Sequence, residues 1–291
     1  MTGSVIVAVV LICAALSAYV GWNLTHPARK ALDSLPADYG LSFTEVRFPS
    51  RTDSISLSGW FLPAGGKVNG RTLIFAHGYA GNRLETGLPA LALARSLVQA
   101  GYNVLMFDFR NSGQSDGKLT SVGQFEVNDL LGAVDWTAAN HPGRIGVIGF
   151  SMGATTSILA AAHNPAIAAV VADSPFANLK QYLQENLPVW SNLPSFPFTP
   201  LIMNILPPLT GIDVGSVDAY KAVDQVYPRP ILFVHSGADP SIPVANSERL
   251  YGLHPDKFSL WKSGANTHVG SYKFAPQEYT NRVLDFFEKN L

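Results

Sequence analysis

The stretch Ile145-Gly-Val-Ile-Gly-Phe-Ser-Met-Gly-Ala154 constrains the fold more than any other part of this chain. An apolar strand runs straight into Gly149-Phe-Ser-Met-Gly153, and a helix of mostly small residues, Ala154 to Ala162, follows. A strand that turns into a helix this abruptly leaves no room for flanking side chains, so the turn tolerates glycine at 149 and 153. Ser151 is then held at the tip in a strained conformation, hydroxyl outward. The helix aims its first backbone N–H groups and the positive end of its dipole at the same point. The same G-x-S-x-G pattern recurs at Gly113-Gln-Ser115-Asp-Gly117. That copy has no strand directly before it and no helix directly after it, so Ser115 reads as a structural turn residue.

The rest of the chain supplies the matching architecture. Leu41 to Phe48 and Ser54 to Leu62 alternate apolar and polar residues, as hairpin strands do. Thr72 to Ala76, Asn103 to Asp108, Ile167 to Asp173, Pro230 to His235 and Phe258 to Trp261 read as buried strands. Leu88 to Gln99, Phe125 to Ala139 and Glu278 to Glu288 read as helices between or after them. Strands alternating with helices predict an α/β fold, a mostly parallel central sheet flanked by helices on both faces. Leu187 to Pro208 breaks the rhythm. Six prolines interrupt it, with Trp190, Phe196, Phe198, Leu201, Ile202, Met203 and Ile205 between them. The stretch is too apolar for a solvated loop and too interrupted for one long helix. It predicts a small cap, inserted after the sixth strand within about 176–222, packed over the sheet's carboxyl edge.

The N-terminus is of another kind. Residues 1–28 contain no Asp, Glu, Lys or Arg, and Gly3 to Trp22 is about the length of helix that spans a bilayer. Tyr19 and Trp22 suit the interface, with Arg29 and Lys30 beyond it. The favoured reading is a retained transmembrane anchor. A cleaved signal peptide is the second, with Ala15-Leu16-Ser17 as a small-residue cleavage site but no basic region ahead of it. A buried core helix is the third. Arg29 and Lys30 by themselves favour a cytoplasmic catalytic side. Cys13 is the one cysteine, which excludes a disulfide framework and a cysteine-based zinc site. Twenty basic residues against twenty-one acidic ones give no sign of a nucleic-acid partner.

Serine chemistry needs a base within hydrogen-bond reach and a carboxylate to orient that base. Asp239, in Gly237-Ala-Asp239-Pro240, and His268, in Gly264-Ala-Asn-Thr-His268, each follow a strand's carboxyl end. That is the edge where open α/β sheets bind ligands. Asp173, also at a strand end, is the alternative acid, although Asp173-Ser-Pro-Phe looks like a local turn. His77 is expected to shape the loop after the third strand rather than act as base. His235 reads as a satisfied structural residue, and His163 and His254 lie at helix or loop ends without a second partner. Two backbone N–H groups, of Met152 and Tyr79, are the expected oxyanion donors, and the Tyr79 hydroxyl is a candidate for the pocket lining. No metal-ligand spacing is present.

Together, His77-Gly-Tyr-Ala-Gly-Asn-Arg83, Asp108 to Gly117, Gly149 to Gly153, Asp173-Ser-Pro-Phe176, Gly237-Ala-Asp239 and His268 resemble the α/β-hydrolase superfamily. Within it they are similar to serine esterase/lipase-like and serine-aminopeptidase-like members with an N-terminal membrane segment. The resemblance implies an α/β-hydrolase domain over residues 29–291 behind an anchor or uncleaved signal at 1–28. It also implies a Ser151, His268, Asp239 triad that passes through an acyl-enzyme, with no cofactor. It leans towards an extracytoplasmic catalytic domain, against the sense of Arg29 and Lys30. Asn111, where many members have glycine, and Asp239-Pro240 depart from the family pattern. A carboxylic ester or thioester is the expected substrate. Amide or peptide cleavage is the alternative, as no acidic cluster marks a place for a substrate amino terminus. A non-catalytic binding protein is a further alternative. The acyl group is expected to be apolar, held under the cap by Tyr79, Trp190 and Phe198. Because the triad lies wholly beyond the N-terminal segment, a chain starting near Thr25 is expected to be active.

Overall fold

Among the described residues, eight strands form a single sheet in the order β1-β2-β4-β3-β5-β6-β7-β8. They are β1 (Thr44–Pro49), β2 (Ser56–Leu62), β3 (Arg71–Ala76), β4 (Asn103–Phe107), β5 (Arg144–Phe150), β6 (Ile167–Asp173), β7 (Ile231–Ser236) and β8 (Ser259–Ser263). This computed structural model describes residues 2–65 and 70–291. The β1–β2 and β2–β4 pairs are antiparallel, and β4 through β8 run parallel. The central strands are apolar on both faces because both faces are covered, as a parallel sheet requires.

The described residues also form ten α-helices: α1 (Thr2–Thr25), α2 (Ala90–Gln99), α3 (Glu126–Asn140), α4 (Met152–His163), α5 (Leu179–Ser191), α6 (Ser195–Thr210), α7 (Ala219–Val226), α8 (Ala245–Tyr251), α9 (Ser271–Phe274) and α10 (Pro276–Asn290). One core gathers Leu130 of α3, Ile158 of α4, Val223 of α7 and Leu250 of α8 against Ile74, Val147 and Phe233. The other gathers Leu93 and Leu97 of α2 and Tyr279, Val283 and Phe287 of α10 against Leu73, Phe75 and Ile148. The sequence pattern does not single out α7 and α8. At eight and seven residues they are shorter than the stretch over which a helical period can be read.

The cap lies between β6 and β7 and consists mainly of α5 and α6. Pro188, Pro200, Pro207 and Pro208 sit inside these helices rather than between them. Asn178 caps α5 by accepting from the Gln181 N–H. Gly211 ends α6 in the left-handed region.

The stretch Ser4–Thr25 of α1 is long and apolar enough to cross a bilayer. Its two halves differ. Val5 to Ile12 are exposed all round, whereas Ser17, Gly21 and Thr25 are buried and fall on one face. That face packs on α6 and, to a lesser extent, on α5.

Candidate active site

The turn at Ser151 is as tight as its glycines require. A Cβ at Gly149 would lie 2.3 Å from the Gly153 carbonyl oxygen, and one at Gly153 would lie 2.0 Å from the Ala76 carbonyl oxygen. Ser151 itself has φ 53° and ψ −118°, a strained state that any side chain other than glycine adopts at a cost. The Ser151 N–H donates to the Asp173 carbonyl at 2.8 Å, and Ser151 leads directly into α4.

Three of the expected site residues meet at the sheet's carboxyl edge. His268 Nε2 lies 2.7 Å from Ser151 Oγ, and His268 Nδ1 lies 2.7 Å from Asp239 Oδ2. Asp239 Oδ1 accepts from the Ser241 and Ile242 N–H groups. Pro240 brings no N–H, so the turn is closed by the two residues after it and the unusual Asp-Pro pair is accommodated. Burial, the largest single influence, pushes the Asp239 carboxyl up. His268 and the two amides outweigh it and hold the group below the usual carboxylate range. An ionised Asp239 can only accept, so His268 Nδ1 carries the proton. Nε2 is left to accept from the Ser151 hydroxyl.

The other candidates are occupied elsewhere. Asp173 is fully buried; Oδ1 accepts from Ser174 Oγ at 2.9 Å and Oδ2 from the Tyr279 hydroxyl at 3.0 Å. Burial raises its carboxyl to about 7. His77 Nε2 accepts from the Phe109 N–H, so its Nδ1 donates to the Gly78 carbonyl; both ring nitrogens brace loops. His235 Nε2 donates to the Ile242 carbonyl, and Nδ1 accepts from Ser247 Oγ. Burial keeps both imidazoles below their usual range. Ser115 Oγ donates to the Asp108 carbonyl and accepts from the Ser58 N–H, a buried structural role.

The amides of Tyr79, next to Gly78 in the loop beside Ser151, and of Met152, which follows Ser151, enter none of the turn, loop or cap hydrogen bonds among the described residues. A residue that the sequence did not single out holds this loop. Glu85 Oε2 accepts from the Gly78 N–H at 2.6 Å, and Oε1 accepts from the Thr86 and Gly87 N–H groups. A Cβ at Gly78 would sit 3.2 Å from that carboxylate and 3.4 Å from Ser151 Cβ. Glu85 therefore sets the position of the backbone next to Tyr79 relative to the serine. An isolated acidic residue two turns past a strand gives no sequence signal for this.

A cavity of about 100 Å³, open at its mouth, leads from Ser151 and Met152 under the cap. Phe176, Tyr182, Leu187, Trp190, Ile202 and Leu206 contribute to its wall. Among the described residues, no charged side chain lines it. Trp190 lies edge-on to Tyr79 and donates from Nε1 to the Tyr182 hydroxyl, which in turn donates to the Ser241 carbonyl in the Asp239 loop. Phe198, expected beside Trp190, is not among the lining residues. It sits one helical turn ahead of Ile202, just after non-helical backbone at Phe196, and so falls outside the stretch 202–207 that faces the cavity. Conversely, Leu24 and Thr25 of α1 do line it. The N-terminal segment therefore forms part of the pocket, although the triad itself lies wholly beyond it.

Known proteins share this fold. The Pyrococcus furiosus esterase Pf2001 superposes with a TM-score of 0.77 at 29% identity, covering 92% of this chain and 98% of that one. The chain is 34% identical to the uncharacterised protein YqkD of Bacillus subtilis over 221 residues, 75% of this chain and 71% of that protein.

The chain belongs to the α/β-hydrolase superfamily.

This hydrolase is also 27% identical to the uncharacterised protein YfhR of Salmonella typhi over 306 residues, 97% of this chain and 93% of that protein. Residues 55–199 match the model of the X-Pro dipeptidyl-peptidase (S15) family. The hydrolase is thus of the serine type, within a fold that serves both ester and peptide cleavage.

Proposed function

We propose that this hydrolase cleaves carboxylic esters or thioesters of apolar acyl groups, with Ser151 as nucleophile, His268 as base and Asp239 as orienting acid. The observation that carries this reading is the 2.7 Å contact of Ser151 Oγ with His268 Nε2 at the floor of an uncharged, apolar cavity. Ser151 passes its proton to His268 as Oγ attacks the acyl carbon. The oxyanion accepts from the Tyr79 and Met152 amides. His268 then protonates the departing alcohol or thiol, leaving the acyl group on Ser151. Water, deprotonated by His268, repeats the attack and releases the acid. The role of α1 in this reading is a retained membrane tether.

Ester cleavage is favoured over peptide cleavage because a dipeptidyl substrate needs an acid for its ammonium group. Glu85, the acid beside the oxyanion loop, already spends both oxygens on three amides. The naming of the similar Pyrococcus protein as an esterase supports the same choice.

Two experiments test the reading. A fluorophosphonate probe should label the wild type and the Ser115→Ala variant but not Ser151→Ala. A panel of butyrate ester, butyryl thioester and X-Pro amide substrates should show turnover of the first two. Turnover of the amide alone would move the assignment to a peptidase.

A further inference from the structure

Building on the esterase reading, we propose that the acyl chain enters the pocket sideways from a membrane leaflet, and that the substrate is a long-chain ester lying in the bilayer beside α1. The last turn of α1 is a wall of the pocket, shared with α6: Leu24 and Thr25 line it together with Ile202, Met203 and Leu206. The same two helices pack together inside the apolar span. A Cβ at Gly21 would lie 2.8 Å from the Leu206 side chain, and Ser17, one turn further along, is fully buried. Cys13 and Ala14, a further turn on, are half-buried. Protein therefore covers one side of α1 from about residue 13 to residue 25, which is about 18 Å of helix at 1.5 Å per residue. Small residues at 14, 17, 18 and 21 permit this close approach, as they do between helices in bilayers.

If Ser4–Thr25 spans a bilayer, the part of the cap packed on it lies at the same depth. The cap's outward side chains fit that placement. Phe196 is 81% exposed, Leu209 59% and Val189 48%. Val5 to Ile12 of α1 are bare in the same way. A lipid environment covers both sets at once. An ester whose acyl chain already lies among those side chains reaches Ser151 without passing through water, and its polar alcohol part stays at the open mouth. The uncharged lining suits that chain and offers nothing to a charged one.

The test uses the full chain in phosphatidylcholine vesicles with two substrates, a palmitoyl glycerol ester in the vesicle and the water-soluble p-nitrophenyl butyrate. Phe196→Asp places a charge outside the pocket on the membrane-facing side of the cap. It should lower kcat/KM on the vesicle ester about tenfold or more and leave the butyrate within about twofold. In a Cys13→Ser background, a polarity-sensitive fluorophore on Phe196→Cys should shift to the blue in vesicles, while one on the exposed Asn192→Cys should not. Equal loss on both substrates with the fold intact, or no loss on either, overturns the proposal. So does a shift at 196 that follows protein density rather than vesicles, since a second copy of the chain would then cover the cap. Failure of the wild type to cleave either ester removes the esterase reading instead, and the fluorophore still reports whether the cap lies in lipid.

Discussion

The hydroxyl of Tyr79 donates to the carbonyl oxygen of Leu24 across 2.6 Å and ties the loop after β3 to the last turn of α1. Thr120 adds a backbone bond to Thr25, and Arg29 binds the carbonyls of Ser115 and Gly117. The end of α1 is thus held by the catalytic domain rather than trailing from it. A chain starting at Thr25 keeps Ser151, His268 and Asp239 but loses Leu24, both as pocket wall and as the partner of Tyr79. Such a chain should label with a fluorophosphonate yet show lower kcat/KM than the full chain, the more so for longer acyl chains. Tyr79→Phe should lower stability by about 1 kcal/mol, read as a fall in melting temperature. Equal activity of the full and shortened chains at every chain length would dismiss this role for α1.

Glu85 acts on the chemistry through the backbone it holds. Glu85→Gln turns one accepting oxygen into an NH2 group and leaves an amide of Gly78, Thr86 or Gly87 without its acceptor. The Tyr79 N–H should then be displaced from the oxyanion. Loss of a whole oxyanion donor costs about a hundredfold or more in kcat. A displaced donor should cost about tenfold, with KM unchanged and labelling of Ser151 slowed. A change confined to KM, or to melting temperature, would make Glu85 merely structural.

The two aspartates should separate by pH as well as by rate. Asp239→Asn should lower kcat by about three to four orders of magnitude, whereas Asp173→Asn should keep most of the activity. Burial raises the Asp173 carboxyl to about 7 in the folded chain, while an unfolded chain returns it to the usual value near 4. Between those values the folded state binds more protons than the unfolded state, so stability falls as pH rises through that window. Asp173→Asn removes this dependence. The melting temperature of wild type relative to the variant should therefore drop between pH 5 and pH 8. A constant difference over that range would show that Asp173 does not titrate there.

Trp190 shapes the pocket, and Phe198 does not. Each buried methylene contributes about 0.8 kcal/mol, so kcat/KM should rise about fourfold per carbon until the cavity is full. Trp190→Ala removes a lining ring and its bond to the Tyr182 hydroxyl. It should shift the preferred acyl chain to a longer one, measured on a series from acetate to palmitate. Phe198→Ala should leave the profile in place. A profile that peaks at acetate in the wild type would end the apolar-pocket reading.

Where chemistry depends on local geometry, the linear chain was informative. Gly149 and Gly153 announce the turn because no other residue fits 2.3 Å and 2.0 Å from a carbonyl oxygen. Strand periodicity places Asp239 and His268 at the same sheet edge, because parallel strands all end there. Even the dismissal of Ser115 rested on the absence of a neighbouring strand and helix, and its hydroxyl is indeed fully engaged. Contacts between distant segments were another matter. The pairing of Gly21 with Leu206, the hold of Glu85 on Gly78, and the exclusion of Phe198 from the cavity depend on how far along its helix each residue sits and on packing between segments up to 185 residues apart. No periodicity or motif encodes such contacts, because each is set by where two separately stable elements come to rest against each other. The sequence by itself determined the sheet, the turn and the residues available for serine chemistry. Only the tertiary structure decided that the apolar N-terminal helix also builds the pocket, since that outcome required α1 and the cap to find the same face of the domain.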